Sequence, residues 1–81
     1  MRGTIAGLNE KDNKIIIRTD FGYTYGIADV SYMKINQLVS GDLRSNGFEI
    51  LTNLNSGDDF VVEIEAYDCS HEAAILLLDR S

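Results

Sequence analysis

The residues that chemistry would need are few. Cys69-Ser70-His71, flanked by Asp68 and Glu72, is the one place where a thiol, an imidazole and two carboxylates crowd together. A spacing of two puts Cys69 and His71 within contact in a loop. A nucleophile–base pair also needs a pocket and a third group that orients the base, and nothing in the chain marks either. One Cys and one His fall far short of a structural zinc set. Glu63 and Glu65 share a strand face but lack the ligand pattern of a calcium loop. No Gly-rich phosphate loop, nucleophile elbow or metal-binding pair is present. The expectation is therefore no enzyme, no metal and no cofactor. The first cluster reads as a hairpin tip, and the second as a solvated face.

The elements that position these residues belong to one small unit. A chain of 81 residues makes one domain, 1–81, around a single core. With 44% hydrophobic and 25% charged residues it has the composition of a soluble globular protein. No stretch approaches the ~18 apolar residues of a membrane span, so no membrane partner is expected. Met1-Arg2-Gly3-Thr4-Ile5 lacks the apolar core of a signal peptide. A lone cysteine cannot close an internal disulfide, which fits a reducing cytoplasm. The net charge of -6 opposes generic binding to phosphate backbones, which needs a local Lys/Arg surface.

Arg2 to Leu8 reads as a first strand, with Gly7 allowing a bend or a close backbone approach. Asn9 to Asn13 is a polar turn. Lys14 to Thr19 is a β-branched second strand. With Ile15 and Ile17 facing inward, Ile16 faces outward beside Lys14 and Arg18. Asp20-Phe21-Gly22 turns the chain into a third strand, Tyr23 to about Val30, with Gly22 free to take a positive φ. From Ser31 to Ser40 the period changes. Tyr32, Ile35, Leu38 and Val39 recur at helical intervals, Ser31 suits a cap and Gly41 a stop, so a short helix is expected. An irregular connector is the alternative at this length. Phe48-Glu49-Ile50-Leu51 reads as a short strand or as a loop anchored by Phe48. Asn55-Ser56-Gly57-Asp58 is a turn. Phe60, Val62, Ile64 and Ala66 then alternate with Val61, Glu63, Glu65 and Tyr67 along a clear strand. Glu72 to Leu78 reads as a last strand, apolar on both sides and so buried twice or pressed against a partner. The expected fold is mainly all-β, a five-stranded antiparallel OB-type barrel with a short helix between strands 3 and 4. A small five-stranded barrel of the SH3 or Sm kind is the runner-up.

The order and spacing of these segments resemble the cold-shock domain. Met1-Arg2-Gly3-Thr4-Ile5 followed by Asn9 looks like that family's opening. Asp20 and Gly22 sit at its Asp-Gly turn, and Ser31 matches the Ser that closes its second nucleic-acid motif. Asn46-Gly47-Phe48-Glu49-Ile50-Leu51 resembles its Gly-Phe-x-x-Leu segment. Leu54, then Gly57 through Ile64, resembles its Leu-x-x-Gly-x-x-Val-x-Phe strand, and Glu72-Ala73-Ala74-Ile75 its closing Ala-x-x-Val. The extra residues fall between about Tyr32 and Arg44. The resemblance implies an OB barrel that stacks single-stranded bases on exposed aromatics amid basic residues. The aromatics themselves are replaced. The first motif falls on Asp12 to Ile17, with Lys14 and Ile16 at its Phe positions. The second falls on Gly26 to Val30, with Ile27 and Val30 for Phe and Asp29 for His. The Trp and Phe of the first strand fall on Gly7 and Leu8. Stacking worth ~1–3 kcal/mol per base is largely gone.

Two binding surfaces follow. Leu8, Ile16, Ile27 and Val30 would share the outward face on which the family keeps its aromatics. Aliphatic side chains there suit a homodimer or another protein, unless the Ser31–Ser40 helix or the loop after it folds over them as core. Tyr23, Tyr25, Tyr32 and Phe48 with Lys11, Lys14, Arg18 and Lys34 would form a weak single-stranded nucleic-acid strip, because the basic residues gather in the N-terminal half. The expected function is a non-enzymatic cytoplasmic binding module for itself or another protein, with weak single-stranded RNA or DNA binding as the alternative.

Overall fold

The computed structural model describes residues 1–80. Seven elements follow in order: β1 (Arg2–Asn9), β2 (Lys14–Thr19), β3 (Gly22–Ile27), β4 (Leu38–Ser40), β5 (Gly47–Asn53), β6 (Asp59–Cys69) and α1 (His71–Asp79). The strands close in the order β1-β2-β3-β6-β5-β4, and every pairing is antiparallel. The result is a small closed antiparallel barrel consistent with an OB-like fold. No helix is long and apolar enough to cross a membrane.

The β2–β3 hairpin forms where the β-branched run and the Gly22 turn place it. Gly22 has φ 128, and the pairs run from Lys14↔Ile27 to Thr19↔Gly22. Ile15 and Ile17 face the barrel interior, where they pack with Ile5, Val30, Val39, Leu43, Leu51, Val62 and Ile64. Ile16 faces the other way, as the alternation requires. Thr24 is buried, and its hydroxyl donates to the Leu43 carbonyl at 2.6 Å, tying the β4–β5 loop to the barrel.

Three expectations are corrected. There are six strands, because Leu38–Ser40 and Gly47–Asn53 both join the barrel. Phe48-Glu49-Ile50-Leu51 lies inside β5, with Leu51 inward and paired to Phe60. The expected helix over Ser31–Ser40 is absent. Asp29 Oδ1 accepts from the Ser31 N–H and hydroxyl, Gln37 Oε1 accepts from the Lys34 N–H, and Asn36 takes φ 74. Side chains that bond nearby backbone in this way compete with a helical ladder. Of the four periodic residues only Val39 is buried, and Tyr32 is 90% exposed.

The third correction is the last element. Glu72 to Leu78 forms helix, not strand. A short apolar run without polar alternation fits either state. Here Ser70 decides by capping. Its hydroxyl accepts from the Ala73 N–H at 3.1 Å, and its carbonyl accepts from Ala74 at 3.0 Å. Ala73, Ala74 and the Leu run are strong helix formers. The helix lies across the outer face of β1, β2 and β3, and Ala74 and Leu78 pack on Ile16 and Tyr25 in a second core.

Register shifts fit the sheet to this helix. In β1, Ile5 pairs with Ile17 and Gly7 with Ile16, so Ala6 is an extra residue. Gly7 is then the point of closest approach. A Cβ there would sit 2.6 Å from Leu78 Cδ2 and 2.8 Å from Ile16 Cγ1. In β6, Ala66 pairs with Tyr25 while Ile64 pairs with Gly26, leaving Glu65 extra. The bulge turns Ala66 out of the expected inward row and against the helix layer.

Candidate interaction surface

The helix covers one side of the barrel and leaves the β5–β6 side bare. On that side Ile50 pairs with Val61, Phe48 with Glu63, and Thr52 with Asp59. Paired residues on one face of an antiparallel sheet touch each other. Phe48, Ile50 and Val61 therefore make one contiguous apolar patch, exposed by 73%, 68% and 56%. Paired Leu and Ile residues turned inward would be core. These are turned outward with nothing of the described chain over them.

Charge frames the patch. Glu63 lies beside Phe48, and Asp59 closes the other end, its Oδ1 accepting from the Thr52 hydroxyl at 2.7 Å. Neither β5 nor β6 contains a Lys or Arg. Beyond Asp59 the surface dips into a cleft of about 410 Å³, lined by Asp29, Tyr32, Met33, Asn53, Ser56, Asp58, Asp59 and Phe60. Its floor is ordered by the buried Asn53. The Asn53 side-chain oxygen accepts from the N–H groups of Asn55 and Ser56, and its Nδ2 donates to Gln37 Oε1 at 2.9 Å. The bonds from the Ser31 hydroxyl and N–H hold the Asp29 carboxyl below the usual carboxylate range, so it stays charged.

The residues expected to form the aliphatic face do not share one. Ile16 is fully buried beneath α1. Val30 is in the barrel core, and Leu8 packs against that core from β1. Of the four only Ile27 is exposed, at the end of β3 opposite Glu63, while Leu8 is partly buried. The Ala6 bulge and the irregular stretch after Ile27 break the two-residue period that the expectation assumed. A helix does cover Ile16, but it is α1 and not a helix over Ser31–Ser40.

The aromatic and basic residues are similarly dispersed. Tyr25 is buried under α1, and burial followed by the charges of Glu65 and Asp12 pushes its hydroxyl up. The Tyr23 ring lies 5.3 Å from that of His71. Lys14 donates to the carbonyls of Leu77 and Arg80 at the end of α1. Lys11 and Arg18 are exposed on the β1–β2–β3 side, while Tyr32 and Lys34 are exposed in the β3–β4 loop. Phe48 belongs to the β5–β6 patch. Cys69 is half-buried where β6 meets α1, and burial pushes its thiol up. Arg44 grips Asp68 at 2.6 Å while its guanidinium lies 4.1 Å over the Phe21 ring, tying the β2–β3 turn and the β4–β5 loop to the end of β6. Among the described residues no group of three or more His, Cys, Asp or Glu is arranged to hold a metal.

Ile50 and Val61 were not singled out by sequence. The signal was present at Val61, which alternation puts on the same face as Glu63 and Glu65. A single exposed apolar residue is ordinary on a protein surface, and Val61 gains meaning only beside Ile50 and Phe48. No family model matches this chain, and no curated protein and no solved structure matches it either.

Proposed function

We propose that the chain is a non-enzymatic protein-binding module, a barrel of the cold-shock kind whose outer surface has been turned from nucleic acid to protein. One observation carries the proposal: the contiguous exposed patch of Phe48, Ile50 and Val61 on β5 and β6. Aromatic and aliphatic side chains gathered on an otherwise polar surface mark protein contact sites. The barrel has little free strand edge to offer, so contact through side chains is the mode that suits it. Base stacking is the poorer reading. Lys14 and Tyr25 are engaged with α1, and the bare face is acidic.

A photo-crosslinking side chain placed at position 50, and separately at Arg18 on the helix-covered side, tests the reading in cells. Discrete protein adducts are expected from position 50 and not from position 18. Equal yields from both positions would end the proposal. Repeating the experiment with Val61→Lys should remove the position-50 adducts.

A further inference from the structure

The bare face and the cleft beside it are continuous, and their charge restricts what can sit on them. We propose that the partner is an extended, cationic segment of another protein, with a Lys or Arg in the cleft at Asp29, Asp58 and Asp59 and an apolar side chain on Ile50 and Val61. This rests on the protein-binding reading of the same face. Asp59 and Val61 are two residues apart on one side of β6, about 7 Å along the strand. An extended partner presents side chains at the same interval, so the recognition element is a basic residue two positions from an apolar one. In the cleft, both bonds from Ser31 fall on Asp29 Oδ1, and Thr52 fixes Asp59. Tyr32 stands at the lip, 90% exposed, and offers a π face to a cation.

Charge also decides between occupants. A second copy meeting this face through a two-fold axis would bring the Asp59 and Glu63 carboxylates of one copy toward those of the other. No Lys or Arg of β5 or β6 is there to answer them. A nucleic-acid phosphate meets the same carboxylates. A cationic peptide meets complementary charge and apolar surface together.

The test pans a displayed library of random peptides against the wild-type protein in low salt. Selected peptides are expected to carry Lys or Arg two positions from an aliphatic or aromatic residue. Their binding should weaken about tenfold in Asp58→Asn/Asp59→Asn. It should weaken by a similar factor in about 1 M salt, where the Debye length shrinks to about 3 Å. It should vanish in Ile50→Lys. All these positions are exposed, and unchanged thermal unfolding of each variant confirms that the fold is kept. Peptides that need Ile50 but are neutral or acidic, and ignore the Asp variants, would overturn the cationic assignment and leave the face reading standing. Peptides indifferent to Ile50→Lys, or none selected, would overturn both. A dimer by light scattering that Ile50→Lys dissociates would make a second copy the occupant and likewise overturn the cationic assignment.

Discussion

Gly7 and Leu78 are the pair on which helix docking turns, and they can be tested as a pair. Gly7→Ala adds a methyl 2.6 Å from Leu78 Cδ2 and 2.8 Å from Ile16 Cγ1. The helix or both side chains must shift, and overpacking of this kind costs about 1–3 kcal/mol. The less flexible unfolded chain offsets about 0.4–1 kcal/mol of that, because the backbone at Gly7 is not in the left-handed region. The net expectation is a loss of about 1–2 kcal/mol, or a fall in Tm of roughly 5–10 °C for a domain of this size. Leu78→Ala empties a site only 7% exposed. Lying at the margin of the second core, it should cost about 2–3 kcal/mol, the low end for buried leucine. In the double variant the new methyl occupies part of the space the leucine left. The combined loss should fall short of the sum by about 1–2 kcal/mol, well above the ~0.3–0.5 kcal/mol within which distant sites add. Urea unfolding of the four proteins, followed by circular dichroism, measures the cycle. Additive losses, or a stabilising Gly7→Ala, would refute the docking of α1 on β1.

Three further outcomes are expected. Ser70→Ala removes the cap of α1 and should cost about 1 kcal/mol, with faster amide exchange at Glu72 and Ala73. Lys14→Met removes donors from the last carbonyls of α1, so exchange should quicken at the C-terminal turn of the helix and leave the β5–β6 ladder unchanged. Asp29 has a folded pKa below its unfolded value, so its contribution is present above the unfolded pKa and is lost as pH falls through the folded one. Ser31→Ala should raise the Asp29 carboxyl pKa in an NMR titration; an unchanged value would show that the Ser31 contacts do not hold the charge.

How much of this was legible follows the strength of the local signals. The β2–β3 hairpin was readable because Ile15-Ile16-Ile17 and the Gly22 turn agree with each other. The close approach at Gly7 was readable too, though not what approached. Glu72 to Leu78 was misread because its burial is one-sided in a way that hydrophobicity alone does not display. Leu76 is exposed while Ala74 and Leu78 are buried. Ser70 and Glu72 were the better guides, as cap and first-turn acid. The Ser31–Ser40 helix was misread because its period is real but answers to no neighbouring surface. Ala66 was misplaced because a bulge is invisible to a strict two-residue count. The interaction patch was half hidden: alternation puts Val61 on the polar row of β6, but Phe48 and Ile50 lie in a run with no clear alternation, and only the register of β5 against β6 brings them beside Val61.

The order of the elements along the chain has a consequence for the protein as it is made. β1 to β3 leave the ribosome first and form a local meander. Its outer surface, Ile16 and Tyr25, waits for a cover encoded more than 40 residues later, at Ala74 and Leu78. Closure is also late, because the edge of β3 not paired with β2 finds its partner in β6, the last strand. A chain cut after Ser56 therefore lacks both β6 and α1 and leaves Ile16 and Tyr25 without their cover. β6 and α1, adjacent in the chain, supply the missing pairing and the missing cover together.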